Sequence, residues 1–131
     1  MIKPPETAEV IELPTSKLWF GEDGIVYSVS KKAPPQSLEE VKTTMENFKQ
    51  LIGPRKICLL IDATHSSETP REVRNYVAEE FPKFTQAMAI VSRSALGKML
   101  ANLFFRLKAQ PYPTKMFENE TAAKAWLTQY L

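Results

Sequence analysis

One short polar segment contains most of the side chains that could do chemistry in this chain. It begins where an apolar run ends, and its polar residues are Asp62, Thr64, His65, Ser66, Ser67, Glu68 and Thr69. A phosphate on one of the hydroxyl groups would be stabilised by the positive end of a following helix. Arg71 and Arg74 follow closely enough to pair with that phosphate. The segment is therefore a candidate phosphorylation or ligand-binding loop.

Three other interpretations of this loop compete with a phosphorylation site. Asp62, His65 and Glu68 could bind a metal, but His65 is the only histidine of the chain and a second group of ligands is lacking. His65 could activate Ser66, although adjacent residues rarely align for that reaction and no strained nucleophile turn precedes them. The simplest alternative is that the loop hydroxyls satisfy backbone groups, with Thr69 capping the next helix.

The remaining polar residues do not predict an active site. The chain has four glycines and none follows an interior strand, which excludes a glycine-rich phosphate loop. Two adjacent acidic pairs, Glu39–Glu40 and Glu79–Glu80, point to different sides of their predicted helices and are expected in solvent. We therefore expect a non-enzymatic protein without a metal or a cofactor.

The elements around the loop predict where it lies. The apolar run 57–61 is typical of a strand covered on both faces, and Ala87–Val91 is the next interior strand. Between them, Thr69-Pro70-Arg71-Glu72 predicts a capping box with proline at the first helical position. Alternating strands and helices form parallel sheets, whose ligands lie beyond the carboxyl ends of the strands. The loop after Asp62 occupies that position.

The whole chain reads as one domain, residues 1–131, with ten elements. Alternation and turn residues predict an antiparallel meander of three strands at 8–13, 17–20 and 25–30. A capping box at Ser37–Glu40 begins a helix that ends at Gly53-Pro54, and further elements are a third helix from Ser94 to Lys108, a strand at 114–117 and a helix capped by Asn119. The prediction is a mixed α/β sheet with four helices in the order β-β-β-α-β-α-β-α-β-α.

Three stretches resemble the STAS, or SpoIIAA-like, domain family. They are Ile57-Cys58-Leu59-Leu60-Ile61-Asp62, Met88-Ala89-Ile90-Val91-Ser92 before a helix, and the ending 117–127, which is most similar to small bacterial STAS-like proteins. The resemblance implies a regulatory or protein-interaction module, or alternatively a domain that binds a small ligand or lipid beside the same loop. In the antagonist family a phosphorylatable serine lies in an Asp-Ser-Ser-Gly motif at the second helix. Here Thr64–Pro70 has the serines but lacks the glycine.

The third predicted helix carries a second candidate site. Phe105 lies on its polar side beside Lys98, Asn102 and Arg106, opposite a broad apolar face. An exposed aromatic side chain marks a contact surface, so we expect a protein partner or a homodimer there. The alternatives are an anionic ligand or lipid surface held by the basic residues, or simple packing of Phe105 on Trp19, Phe20 or Tyr112.

The composition limits the partners. The net charge of +2 is too small to predict nucleic-acid binding, although residues 82–116 carry six basic residues and no acid. The single cysteine, Cys58, lies in an apolar run, which leaves no disulfide and suggests a reducing compartment. No apolar stretch approaches the roughly 18 residues of a membrane span. We expect a cytoplasmic protein that is not transmembrane.

Overall fold

A computed structural model describes residues 2–34, 36–65, 69–95, 99 and 111–131 of the chain. These residues form six strands: β1 (Ile11–Glu12), β2 (Ser16–Phe20), β3 (Ile25–Ser30), β4 (Ile57–Asp62), β5 (Thr85–Val91) and β6 (Thr114–Phe117). They also form the helices α1 (Leu38–Ile52), α2 (Arg71–Glu80) and α3 (Glu120–Thr128), and a 3-10 turn at Phe81–Lys83 follows α2.

The strands pair in chain order to form one six-stranded sheet. β1, β2 and β3 are antiparallel neighbours, as expected for a meander joined by short turns. β3, β4, β5 and β6 are parallel neighbours. The predicted mixed α/β sheet is therefore confirmed. Its topology places the carboxyl ends of four strands at one edge of the sheet and their amino ends at the opposite edge.

Both faces of the sheet are covered, which explains the continuous apolar runs of β4 and β5. Phe48 of α1 and Val77 of α2 pack with Leu59 on one face. Leu127 of α3 packs with Leu60 on the other face, and both of these side chains are fully buried. Successive residues of β4 thus supply the two halves of the core, because side chains alternate across a strand.

One of the four predicted helices falls almost entirely outside the residues that the structure describes. Four helices were expected, and the part of the chain that the structure describes contains three. The predicted third helix, 94–108, falls mostly outside that part, since only residues 94, 95 and 99 of its range are described. The candidate interface residues Lys98, Asn102, Phe105 and Arg106 lie outside the described residues as well.

The first strand is shorter than the predicted 8–13. Its pairing with β2 is limited to Ile11 and Glu12. On one side, the Ala8 N–H donates to the Pro5 carbonyl at 3.0 Å, and this turn removes the preceding residues from the sheet. On the other side, the Leu13 N–H donates to the Ser16 carbonyl at 2.8 Å within the β1–β2 turn. Local turns therefore take the hydrogen bonds that a longer strand would need.

The capping box predicted for α1 is confirmed. The Ser37 hydroxyl accepts the Glu40 N–H at 3.2 Å, and the Glu40 carboxylate accepts the Ser37 N–H at 3.1 Å. These bonds to Ser37 lower the pKa of Glu40. Gly53 ends the helix with φ of 68°, a conformation that favours glycine.

The capping box predicted for α2 is wrong. The N-cap is Pro70, one residue later than expected, and no side chain caps the helix there. The Pro70 carbonyl accepts the Arg74 N–H at 3.0 Å, so the helix proper begins at Arg71. A proline side chain offers no acceptor, so Pro70 cannot supply the side-chain bond of a capping box. Thr69 precedes the cap.

Glu80 is also placed differently from the prediction. It was expected in solvent, but its side chain is 10% exposed and forms ion pairs with Lys49 of α1 and Lys83. Hydrogen bonds from Lys49 and then Lys83 lower the pKa of Glu80, and the bond to Glu80 raises the pKa of Lys49. The acid therefore joins α1 to the end of α2 through residues that are 31 positions apart.

Candidate functional site

Polar residues meet at the carboxyl edge of the four parallel strands. The strand register places Val29 opposite Asp62, Asp62 opposite Val91, and Val91 opposite Phe117. The residues at or just after these strand ends include Ser30, Asp62, Thr64, His65, Ser92 and Ser94, which we call the polar edge. This is the side of an open α/β sheet where ligands and partners usually bind.

Asp62 is the buried centre of the polar edge, with 2% of its surface exposed. One carboxylate oxygen accepts the Thr64 N–H at 3.0 Å, which forms a tight turn directly after β4. The other oxygen accepts the Ile2 N–H at 3.4 Å. Because Ile2 is itself buried on the α3 face of the sheet, Asp62 fastens the beginning of the described chain to the end of β4.

Serine side chains hold the loop backbone from two neighbouring strands. The Ser30 hydroxyl, at the end of β3, accepts the His65 N–H at 3.0 Å. The Ser94 hydroxyl donates to the Thr64 carbonyl at 3.5 Å. Ser92 is fully buried, and its hydroxyl donates to the Ser94 carbonyl at 3.3 Å. The loop is thus fixed by polar contacts from both sides before it reaches residue 66.

The structure brings part of the predicted site together. Asp62, Thr64 and His65 share the polar edge, and Thr64 and His65 are half-buried. Thr69 is half-buried and precedes the N-cap of α2. Ser66 and Ser67 lie outside the described residues.

The two predicted anion partners lie on the first turns of α2. Arg71 is the exposed first residue of the helix. Arg74 is half-buried, and its Nε atom is fully buried without a hydrogen-bond partner among the described residues. A buried guanidinium N–H normally has an acceptor, so Arg74 retains the capacity to bind one.

Ser30, Ser92 and Ser94 belong to the polar edge and were missed in the sequence. Ser92 and Ser94 follow β5, which was expected to be an interior parallel strand, and this signal could have found them, because polar residues at the ends of neighbouring parallel strands meet. The described residues contain no group of three or more histidine, cysteine or acidic side chains close enough to hold an ion, and Glu68 of the metal alternative lies outside them. Among the helices that can be described, none has the length and apolar character needed to cross a bilayer.

Comparison with known proteins identifies the family. The model of a domain of unknown function, DUF7793, matches residues 18–131. The chain belongs to the DUF7793 family. The match leaves out residues 1–17, which include Ile2 and β1. No curated protein matches the chain.

Solved structures show what the DUF7793 chain is similar to. A DUF3478 family protein with a SpoIIAA-like fold from Shewanella loihica PV-4 is 17% identical, with a TM-score of 0.59 over 95% of this chain and 98% of that one. This similarity confirms the SpoIIAA-like fold expected from the sequence. A protein of unknown function from Arthrobacter sp. FB24 is 26% identical over 84% of this chain and 96% of that one, with a TM-score of 0.32.

Proposed function

We propose that this protein is a non-enzymatic regulatory module of the STAS type that presents its polar edge to a protein partner. The observation that carries the proposal is how Asp62 is used. Both oxygens of its buried carboxylate accept backbone N–H groups, so the acid holds the loop. Ser30 and Ser94 hold the same loop. A loop fastened in this way presents a defined surface.

The exposed part of the edge has the chemistry of a contact surface. Thr64 offers a hydroxyl group and His65 an imidazole, each on a partly apolar side chain. Both residues are half-buried and lie outside the core. A rigid loop costs less entropy on binding than a loose one, which favours recognition by a protein. The expected homodimer through Phe105 and the cytoplasmic location stay predictions.

We further propose that phosphorylation of Ser66, Ser67 or Thr69 regulates this contact. Two observations support the idea: the hydroxyls follow the fastened loop directly, and the Arg74 Nε nearby in sequence is a buried donor without a partner among the described residues. A phosphate carries close to two negative charges and three acceptor oxygens, which suits a guanidinium group. Addition of a phosphate would change the charge of the edge and therefore its choice of partner.

Phosphopeptide mapping of protein purified from its own host tests the switch. Cleavage after Lys56 and Arg71 releases one peptide that contains all three hydroxyls. We expect one phosphate on that peptide, and its loss in a variant with Ser66, Ser67 and Thr69 all changed to alanine. Peptide that remains unmodified under several growth conditions, or phosphate confined to other parts of the chain, would contradict the switch but leave the contact surface to be tested separately.

A further inference from the structure

The opposite, amino-terminal edge of the sheet contains a cavity that the proposed function does not use. Its volume is about 340 Å³, and it lies where β3, β4 and β5 begin, beside Ile25, Ile57 and Gln86. Small-molecule sites in proteins typically measure about 300–1,000 Å³. The cavity is therefore large enough for a small organic ligand and far from the polar edge at the other end of the same strands.

The charged side chains at this cavity all have the same sign. Arg55 and Lys56 are its charged side chains, and no aspartate or glutamate lines it. The Arg55 Nε donates to the Ile52 carbonyl at 3.2 Å, which orients the guanidinium while its terminal nitrogens stay available. Neither residue forms an ion pair with any side chain that the structure describes. Two adjacent unpaired cations favour an anion.

The rest of the cavity is mainly apolar. Phe20 and Val26 form one wall, and Tyr130 and Leu131 form another. The Gln86 amide donates to the Tyr130 carbonyl and holds that second wall against β5. Leu131 is 58% exposed, so this wall offers apolar surface that a ligand could cover. A ligand that fits this lining has an apolar part as well as a charge.

The thiol of Cys58 completes the uncharged part of the cavity. Burial raises the pKa of Cys58, so the thiol stays protonated at neutral pH and adds no negative charge to the lining. An anionic group at Arg55 and Lys56 therefore meets no acidic side chain within this lining.

We infer that the cavity binds an amphiphilic anion, with a carboxylate or phosphate headgroup on Arg55 and Lys56 and a short alkyl tail between the apolar walls. The headgroup gains charge-assisted hydrogen bonds, and the tail covers Leu131 and Phe20. This site is independent of the polar edge and would exist whether or not the loop is phosphorylated.

A second cavity, of about 410 Å³, has a lining that is unsuitable for an anion. It lies beside α3 on the other side of the β2–β3 turn, and its lining includes the acids Glu9, Glu22, Asp23 and Glu120. Its Lys124 is already held by Asp23 at 3.8 Å and by Glu120 at 4.0 Å. An anion would be repelled there, so this cavity serves as an internal negative control.

Titration of the folded protein with sodium decanoate and with octyl phosphate, followed by amide NMR shifts and calorimetry, tests the site. We expect saturable binding with shifts centred on Gly24, Ile57 and Gln86 and none at Thr64. The double variant Arg55→Glu/Lys56→Glu should bind about tenfold or more weakly, because each charge-assisted contact is lost. The control Lys42→Glu removes an exposed lysine of α1 and should leave affinity unchanged.

A comparison with inorganic phosphate tests whether the apolar tail contributes to binding. Inorganic phosphate should bind at least tenfold more weakly than octyl phosphate, because it lacks the apolar part. Absence of saturable binding by both amphiphiles, equal binding to the double variant, or binding only to vesicles that contain anionic lipid would each overturn the inference. The double variant changes exposed residues, so its circular dichroism spectrum should match that of the unchanged protein.

Discussion

Replacement of Asp62 by alanine is expected to lower the free energy of unfolding by about 2–3 kcal/mol, through loss of two hydrogen bonds to a buried carboxylate. The Thr64 and Ile2 N–H groups would lose their acceptor at a site that is only 2% exposed to solvent. Urea unfolding followed by tryptophan fluorescence measures the change. We also expect faster hydrogen exchange at the Thr64 amide.

Two further variants show that the effect comes from the acceptor oxygens. Asp62→Asn keeps one acceptor and turns the other into a donor, so its loss of stability should be substantial but smaller than that of alanine. Glu6→Ala removes an exposed acid of the same charge and should change stability by less than about 0.5 kcal/mol. A change for Asp62→Ala as small as that of Glu6→Ala would show that Asp62 does not fasten the loop.

The ion pair between α1 and α2 is expected to give the second large effect. Glu80→Gln should lower the free energy of unfolding by about 1–2 kcal/mol, since Glu80 is largely buried and the remaining Lys49 is only 27% exposed. Lys83→Met should cost less than about 0.5 kcal/mol, because that lysine is 64% exposed. A double-mutant cycle of Glu80→Gln with Lys49→Met isolates the pair. A coupling energy near zero would contradict the role assigned to it.

The same pair predicts how stability depends on pH. The folded-state pKa of Glu80 is lowered from its ordinary value of 4.5, so the stabilisation is fully present above that value and is lost as the pH falls through the lowered pKa. The folded-state pKa of Lys49 is raised, so its contribution is present below the ordinary value of 10.5 and is lost above it. The difference in stability between the unchanged protein and Glu80→Gln should therefore vanish in acid, as urea titrations at several pH values would show. A difference in stability that persists in acid would show that Glu80→Gln acts through packing and not through loss of the ion pair.

Elements that depend on local pattern could be predicted from the sequence. The capping box at Ser37–Glu40 predicts the start of α1, and the continuous apolar run of β4 predicts a strand covered on both faces. In each case the signal lies within a few residues. The placement of Asp62 at the carboxyl end of a parallel strand also followed from the alternation of strands and helices. The mixed sheet is the consequence of these local signals taken together.

Features that depend on distant contacts could not be predicted. Glu80 looked like half of a solvated acidic pair because Lys49, which holds it, is in another helix. Ser30 could be assigned to the polar edge only once β3 and β4 were known to be parallel neighbours. The capping box of α2 was predicted wrongly for a different reason. The sequence pattern is present, but the helix begins one residue later and places Pro70 at the N-cap position.

Affinity purification of a matched set of variants from the native host tests the central claim, that the polar edge is the surface on which a partner binds. The edge variant is Thr64→Arg/His65→Glu, and the control is Arg55→Glu/Lys56→Glu at the opposite edge. We expect the unchanged protein and the control to retain the same partner, and the edge variant, folded to the same extent by circular dichroism, to lose it. Recovery of that partner at an unchanged level by the edge variant, or its loss only in the control, would show that the partner does not bind at the polar edge.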